Sequence, residues 1–496
     1  MALIPIRRSV PVKGMNTTVP PRELTEEYAV ALENIWYDNG VTLRRRPCQK
    51  GISNYSLTAK DIFEYSYRGT TELFAKDAAG AISKITPTSS APQGQTFAGE
   101  SSSAMLKNYM VIGDGVANAM KYNGTTWSAI SKPPAPVGNA AIGSIFHPHK
   151  GRLYAAGNPS FPLTIFVSDT IGTTAAVSGA DYWDQGPAGT AGERGYLIDC
   201  SGDVEGDKIT GLATHRGMLI VFCSRNILVY NIDESNGYNS YLYKVVHGEG
   251  CVAHKSIQAV GEDIIFLSQN GFKKLQTSFV QGDSQVNDAS QPISSDVRAQ
   301  ILNGAPLSSI RSTYNQRLGL YLCHIDGIVW AYQVMFDGWF KWTGMNGCMF
   351  TDSNITTYTA NPTTSAALCS LDHKAYQDTL TVGGAGTAIK MIWTPAPFKA
   401  QVEHKPRWRR FELIYESQGN DSIGIDYYYD LDVSVMNSGI YQLSPTGVLP
   451  NALKSGRFEL PIVGRSELIS FDVWNDSNSD FRMKIVEVYI IDGGMR

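Results

Sequence analysis

The sequence predicts an all-β chain: a six- or seven-bladed β-propeller, a C-terminal β-sandwich-like platform domain, and an N-terminal arm carrying one short helix. Three observations carry this. A strand–turn–strand–turn–strand unit returns every roughly 40 to 55 residues, the signature of a repeat architecture. The turn formers are abundant, with 47 Gly, and 25 Tyr suit strands. The strands then lengthen and turn Tyr- and Val-rich after about residue 385, which marks a second domain. The boundaries read from this are 1–54 for the arm, 55–385 for the propeller and 386–496 for the platform.

Taken in order, the arm opens with an extended stretch, residues 4–18, too short to bury a core alone. Its backbone groups need partners, so it is expected to add to another chain's strand or to the C-terminal sheet. Residues 20–34, PPRELTEEYAVALEN, predict a helix. Prolines precede it, acids fill its first turns, and Tyr28, Ala31 and Ile35 recur at helical spacing. A strand pattern follows in residues 41–46.

The repeats come next. Clear copies run over residues 104–123, 212–231, 257–276 and 311–333; looser ones cover 61–85 and 142–169, and a degenerate one 366–376. Each is a short meander that cannot bury both faces alone, and radial stacking solves this as a propeller. A sandwich or barrel with regular hairpins is the alternative. The short apolar stretches, such as MLIVFC at 218–223 and the run around Ile265, are assigned to inner strands. Pro- and Gly-rich linkers at 87–95, 133–138 and 361–365, and a long insert at 173–194 containing Trp183, separate copies. In the platform, strands are expected at 410–416, 423–429, 434–436, 459–463, 468–474 and 481–490.

Composition excludes several classes. Charged residues are 18%, below the roughly 25% of globular chains, with 43% hydrophobic, so this is neither a disordered chain nor a coiled coil. A net charge of -4 argues against wrapping nucleic acid with the whole surface. The cysteines (Cys48, Cys200, Cys223, Cys251, Cys323, Cys348 and Cys369) are scattered, odd in number and lack any C-x-x-C, which points to a reducing compartment with neither disulfide framework nor zinc site. No apolar run approaches the roughly 20 residues of a membrane span, and the first 15 residues do not read as a signal peptide. The expectation is a soluble chain made in a cytoplasm, without membrane insertion.

Several stretches resemble one family. They are VPVKGMNT and ENIWYDNGVTLRRRPCQKG in the arm; HKGRLYAAGN, IFVSD, DYWDQ and ITGLATHRGMLIVFCSRNILVYNID in the middle; and GRSELISFDVWNDSNSDFRMKIVEVYIIDG, residues 464–493, at the end. The chain resembles the tail nozzle, or packaged-DNA stabilisation (tail-closure) protein, of short-tailed, podovirus-type bacteriophages. The resemblance implies a structural virion protein of the viral tail, assembled in the host cytoplasm. It implies a homohexameric ring around the DNA channel, docked below the adaptor (head-to-tail connector) ring and portal. Tail fibre, spike or needle proteins would be further partners, and viral DNA would pass without sequence-specific binding during DNA ejection.

Motifs for chemistry are sparse. His147 and His149 in FHPHKG are the closest imidazole pair, but no Asp or Glu stands beside them in sequence, so a polar turn is the better reading than a metal pair. Asp114 and Asp326 sit in GDG and IDG, which read as turn chemistry. GGAGTA at Gly383 lacks the Lys-Ser/Thr of a phosphate loop. A propeller glycosidase or depolymerase of a phage tail would need paired carboxylates and an Arg cluster; it stands as the alternative function. No catalysis, metal or cofactor is expected.

Two basic patches are candidate interfaces. Arg44, Arg45 and Arg46 follow Trp36 and Tyr37 in the arm; Arg407, Trp408, Arg409 and Arg410 open the platform. Aromatic and Arg side chains dominate interfaces, and such groups also bind nucleic acid. The net negative charge favours protein contacts. Asp426, Asp430 and Asp432, set among tyrosines, are the natural acidic complement or channel-lining residues that would keep DNA from sticking.

Overall fold

In a computed structural model the described residues are 3–38, 42–130, 133–134, 137–138, 141–169, 183, 195–233, 239–277, 284–399, 405–418, 421–432, 437–443 and 454–491. The strand expected at 434–436 and most of the 173–194 insert lie outside them.

The repeats fold as seven four-stranded antiparallel meanders; six are separate sheets and one is continuous with a larger sheet. Every repeat copy read from the sequence falls in its own blade. The inner strands are Asp61–Tyr67, Ser102–Leu106, Ile145–His149, Ile209–His215, Gln258–Val260, Arg311–Asn315 and Cys348–Thr351. They touch in that order around the ring, by way of the turn His254–Ser256 at the fourth junction, and the seventh touches the first. The fold is a seven-bladed propeller.

Each blade is sandwiched between two others, which explains its unbroken apolar runs. Within Met218–Cys223, Leu219, Val221 and Cys223 pack with Tyr154 and Val167 of the third blade, while Ile220 and Phe222 pack with Ile264 and Phe266 of the fifth. Alternate side chains point to opposite faces, so a strand buried on both must be apolar throughout.

The seventh blade is closed by a strand from the other end of the chain. Ala366–Asp372 pairs with Cys48–Leu57, with Asp372 opposite Cys48 and Ala366 opposite Leu57. Residues 48–54, assigned to the arm from the sequence, therefore belong to the propeller.

The platform is two packed sheets. One orders Ile35–Asp38, Thr42–Arg45, Phe481–Ile491, Arg407–Ser417 and Lys454–Arg465, with Ile4–Ser9 added alongside Phe481–Ile491. The other continues the sixth blade: Gly338–Thr343 leads to Ala29–Glu33, Met391–Pro395, Leu468–Asn475, Ser422–Tyr429 and Asn437–Gln442. Trp408, Phe411, Leu413, Val486 and Val488 face Ile425, Phe471 and Val473 between the sheets, and the rings of Phe411 and Phe471 lie 4.7 Å apart. The arm thus finds its hydrogen bonds on the C-terminal sheet of its own chain, Ile4 opposite Ile490 through Ser9 opposite Ile485.

The helix expected at 20–34 is not formed. Pro21–Glu23 makes a single 3-10 turn, and Ala29–Glu33 is a strand. The prolines and acids describe a helix start and govern one turn only. Beyond it, pairing wins: Leu32 lies opposite Trp393 and Glu33 opposite Ile392, while Glu33 also pairs with Lys341 of the sixth blade. Among the described residues the α-helix is instead Ser294–Leu302, between the fifth and sixth blades.

Candidate functional site

The basic triplet Arg44–Arg46 is an internal clamp, which corrects its assignment as an interface. Arg46 is 2% exposed and grips Asp378 with both guanidinium prongs, Nη2 to Oδ2 at 2.6 Å and Nη1 to Oδ1 at 3.2 Å. Its Nε donates to Asn34 Oδ1 at 3.1 Å, and that oxygen also accepts from the Thr343 N–H. Arg44 pairs with Asp480 at 3.2 Å and lies over the Tyr376 ring. Arg45 donates to Asn475 and to the Ser479 carbonyl. Trp36 and Tyr37 are buried too; the backbone N–H and C=O of Tyr37 bond both ends of the Gln333 amide at 3.1 Å. These residues, buried and paired within one chain, tie arm, propeller and platform together.

The second patch splits. Trp408 is fully buried, its indole N–H donating to Ser466 Oγ at 2.8 Å. Arg407 is exposed, and Arg409 and Arg410 are half-buried. Arg410 lies 2.6 Å from Glu412 and 3.3 Å from Glu459. The acids also divide. Asp430 is exposed, accepts the backbone N–H groups of Glu467 and Leu468, and pairs with Lys405 at 3.2 Å. Burial opposes ionisation there, yet these donors hold its carboxyl below the usual range. Asp426 is half-buried opposite Asp472, and Asp432 is exposed.

Near these groups the two sheets of the platform end in edge strands. Lys454–Arg465 and Asn437–Gln442 each pair on one side only among the described residues. Tyr441 and Phe458 bridge them, ring centroids 5.2 Å apart, and the Tyr429 hydroxyl donates to the Val463 carbonyl at 3.0 Å. Ile440 and Val463 project outward, 66% and 75% exposed. Unpaired strand edges with exposed apolar side chains are templates for strand addition.

The propeller axis is a different kind of place. A cavity of about 610 Å³ is lined by the inner strand of every blade, and a second of about 420 Å³ lies beside it. His254, Lys255 and Arg311 line both, so they form a septum between them. At its heart Asp61, 3% exposed in its side chain, meets Arg311 Nε at 2.6 Å, the Lys255 ammonium, and Lys76 at 3.8 Å. Burial alone would raise the Asp61 carboxyl, but Lys255, Arg311 and Lys76 outweigh it and hold it at about 2. Burial lowers Lys255 to about 8 against the pull of Asp61. Sequence reading missed this cluster, because its members come from separate blades.

His147 and His149 flank the larger cavity. Both bond one hydroxyl, Thr214 Oγ1, at 2.8 and 2.9 Å. One hydroxyl has one proton, so it donates to one ring and accepts from the other. Burial pushes both imidazoles down to about 4, and His254 to about 3. Asp114 caps the backbone N–H groups of Gly99, Val116 and Ala117. Asp326 takes φ 45° in its hairpin turn.

No family model and no curated protein matches the chain. Solved structures do resemble it. The extracellular domain of a one-component system from B. thetaiotaomicron aligns with TM-score 0.42 at 10% identity, over 90% of this chain and 63% of that one. PorZ, a surface component of the type-IX secretion system of Porphyromonas gingivalis, aligns at 0.36 and 11% identity, over 80% and 46%. The CNH domain of AfRom2 aligns at 0.30 and 10%, over 59% and 88%. The chain thus spans less than two thirds of the length of the first two. The fold assignment rests on the sheet topology. No helix of the described residues is long and apolar enough to cross a membrane.

Proposed function

We propose that this chain is a structural, ring-forming tail protein of a short-tailed bacteriophage, a nozzle subunit that lines the DNA path and retains and conducts the genome. The family resemblance supplies that role. The observation that best supports it is the pair of platform edge strands, Lys454–Arg465 beside Asn437–Gln442, each paired on one side only among the described residues, with Ile440 and Val463 exposed. A propeller closes on itself and has little need of a partner, whereas a 12-residue strand paired on one side only among the described residues can take one. The occupant is a neighbouring copy of the chain, and Arg407, Asp430 and Asp432, all exposed, are contact and channel candidates. The glycosidase alternative is less well supported. The carboxylate deepest in the axial cavity, Asp61, is held ionised by three cations and is unfit to donate a proton.

The test is the assembly state of the purified chain by sedimentation and negative-stain microscopy. A ring of 54.2 kDa subunits is expected, lost in the double variant Ile440→Asp, Val463→Asp while the fold persists. A monomer at tens of micromolar, or rings indifferent to both substitutions, overturns the reading.

A further inference from the structure

The septum across the propeller axis is unbalanced in charge. Four bases, Lys60, Lys76, Lys255 and Arg311, meet two acids, Asp61 and Glu100. Asp61 Oδ1 is shared by Lys255 and Arg311 while its Oδ2 is buried without a hydrogen-bond partner, 3.8 Å from Lys76, and Glu100 is 42% exposed and stands 3.8 Å from Arg311 Nη2, an ion pair beyond hydrogen-bond reach. Arg311 is only 4% exposed, and its Nη2 is buried without a hydrogen-bond partner. A buried guanidinium prong left unfilled is costly unless something fills it. His254 Nδ1 is likewise buried and unpartnered. Arg311, Lys255 and Lys208 all line the smaller cavity, and Glu100, 3.8 Å from Arg311 Nη2, lines it and not the larger.

We propose that the smaller axial cavity is an oxyanion site, which takes a carboxylate or phosphate group of a small ligand against Arg311 Nη2 and the Lys255 ammonium. A planar guanidinium fork suits such a group, and the surrounding blades keep the pair desolvated. A cavity of about 420 Å³ admits a small acid or a phosphorylated sugar and excludes a polymer strand. The ligand would also relieve the repulsion among the bases, locking the first, fifth and sixth blades together. This site is independent of the tail-protein reading.

The experiment is thermal unfolding and calorimetry of the full chain with inorganic phosphate, with malonate, and with sodium chloride at matched ionic strength. The expected result is a saturable rise in Tm with phosphate, malonate or both, beyond that with chloride. Phosphate alone would mark a phosphorylated ligand, and malonate alone a carboxylic acid. Arg311→Lys, which keeps the charge and removes the fork, should weaken binding about tenfold. Since that residue is buried, Glu100→Gln gives a second reading that leaves the core intact. Removing this competing acid should tighten binding several-fold. Equal shifts with all three salts, or binding unchanged or weakened in Glu100→Gln, would overturn the site.

Discussion

Arg46 and Asp378 form a two-pronged, buried ion pair, 2.6 and 3.2 Å long, at the point where the closing blade meets the platform. Asp378 also accepts the Gln49 N–H at 2.7 Å, so one carboxylate holds the guanidinium and the start of the closing strand.

Substituting Asp378→Asn should therefore be severe. It leaves the Arg46 charge buried and uncompensated, a loss of roughly 3 to 5 kcal/mol. Urea unfolding would read it as a lower midpoint. A change within about 0.5 kcal/mol would mean that the pair is not buried as described.

Leu219→Asp and Ile265→Asp place a carboxylate among fully buried apolar neighbours between blades. Each should cost several kcal/mol and drive the chain into the insoluble fraction. Soluble protein with native circular dichroism from either variant would contradict the blade packing.

Gly14 adopts φ 78°, and a Cβ there would meet the Trp339 backbone nitrogen at 2.5 Å. Only glycine lets the arm run this close to the sixth blade. Gly14→Ala should lift the arm at a cost above about 1 kcal/mol. Limited proteolysis should then cleave before residue 20 while the propeller stays resistant. Unchanged protection of the arm would refute the close approach.

Acid should loosen the axis. His147, His149 and His254 titrate lower in the folded chain than the usual 6.5, because burial disfavours their charged forms. Unfolded chains thus bind more protons below pH 6.5. The stability tied to these groups is intact above that pH and is lost as pH falls towards about 4. For His149, which is 4% exposed, the loss is on the order of 2 kcal/mol. His149→Gln should flatten the fall of Tm between pH 6.5 and 4, and an unaltered slope would show that the ring titrates freely.

The blades were legible because their signal is local. Leu219, Val221 and Cys223 on one face and Ile220 and Phe222 on the other make an apolar run bounded by turns, which needs no knowledge of distant residues. The platform strands were legible for the same reason. What failed was set by partners far along the chain. Ala29–Glu33 is a strand because Lys341 and Trp393 are beside it. Arg46 is internal because Asp378, 332 residues later, reaches it, and Arg44 because Asp480 does, 436 residues later. The septum joins Asp61, Lys255 and Arg311 from the first, fifth and sixth blades, with no spacing that a reader of the sequence could recognise. Charged residues in a row look like a solvated face until their counter-ions are found.

The strand Cys48–Leu57 closes the ring against Ala366–Asp372, and this fixes the order of events during synthesis. The first-made strand of the propeller must wait, its ladder groups unsatisfied, until the last blade has left the ribosome. At roughly 5 to 20 residues per second that wait lasts tens of seconds. The blades between can form as they emerge, each resting on its predecessor, but the circle has a free end throughout. Its joining is a late, long-range step that no single blade can hasten, and the waiting edge is where a nascent chain is most open to capture by a chaperone or by another copy of itself.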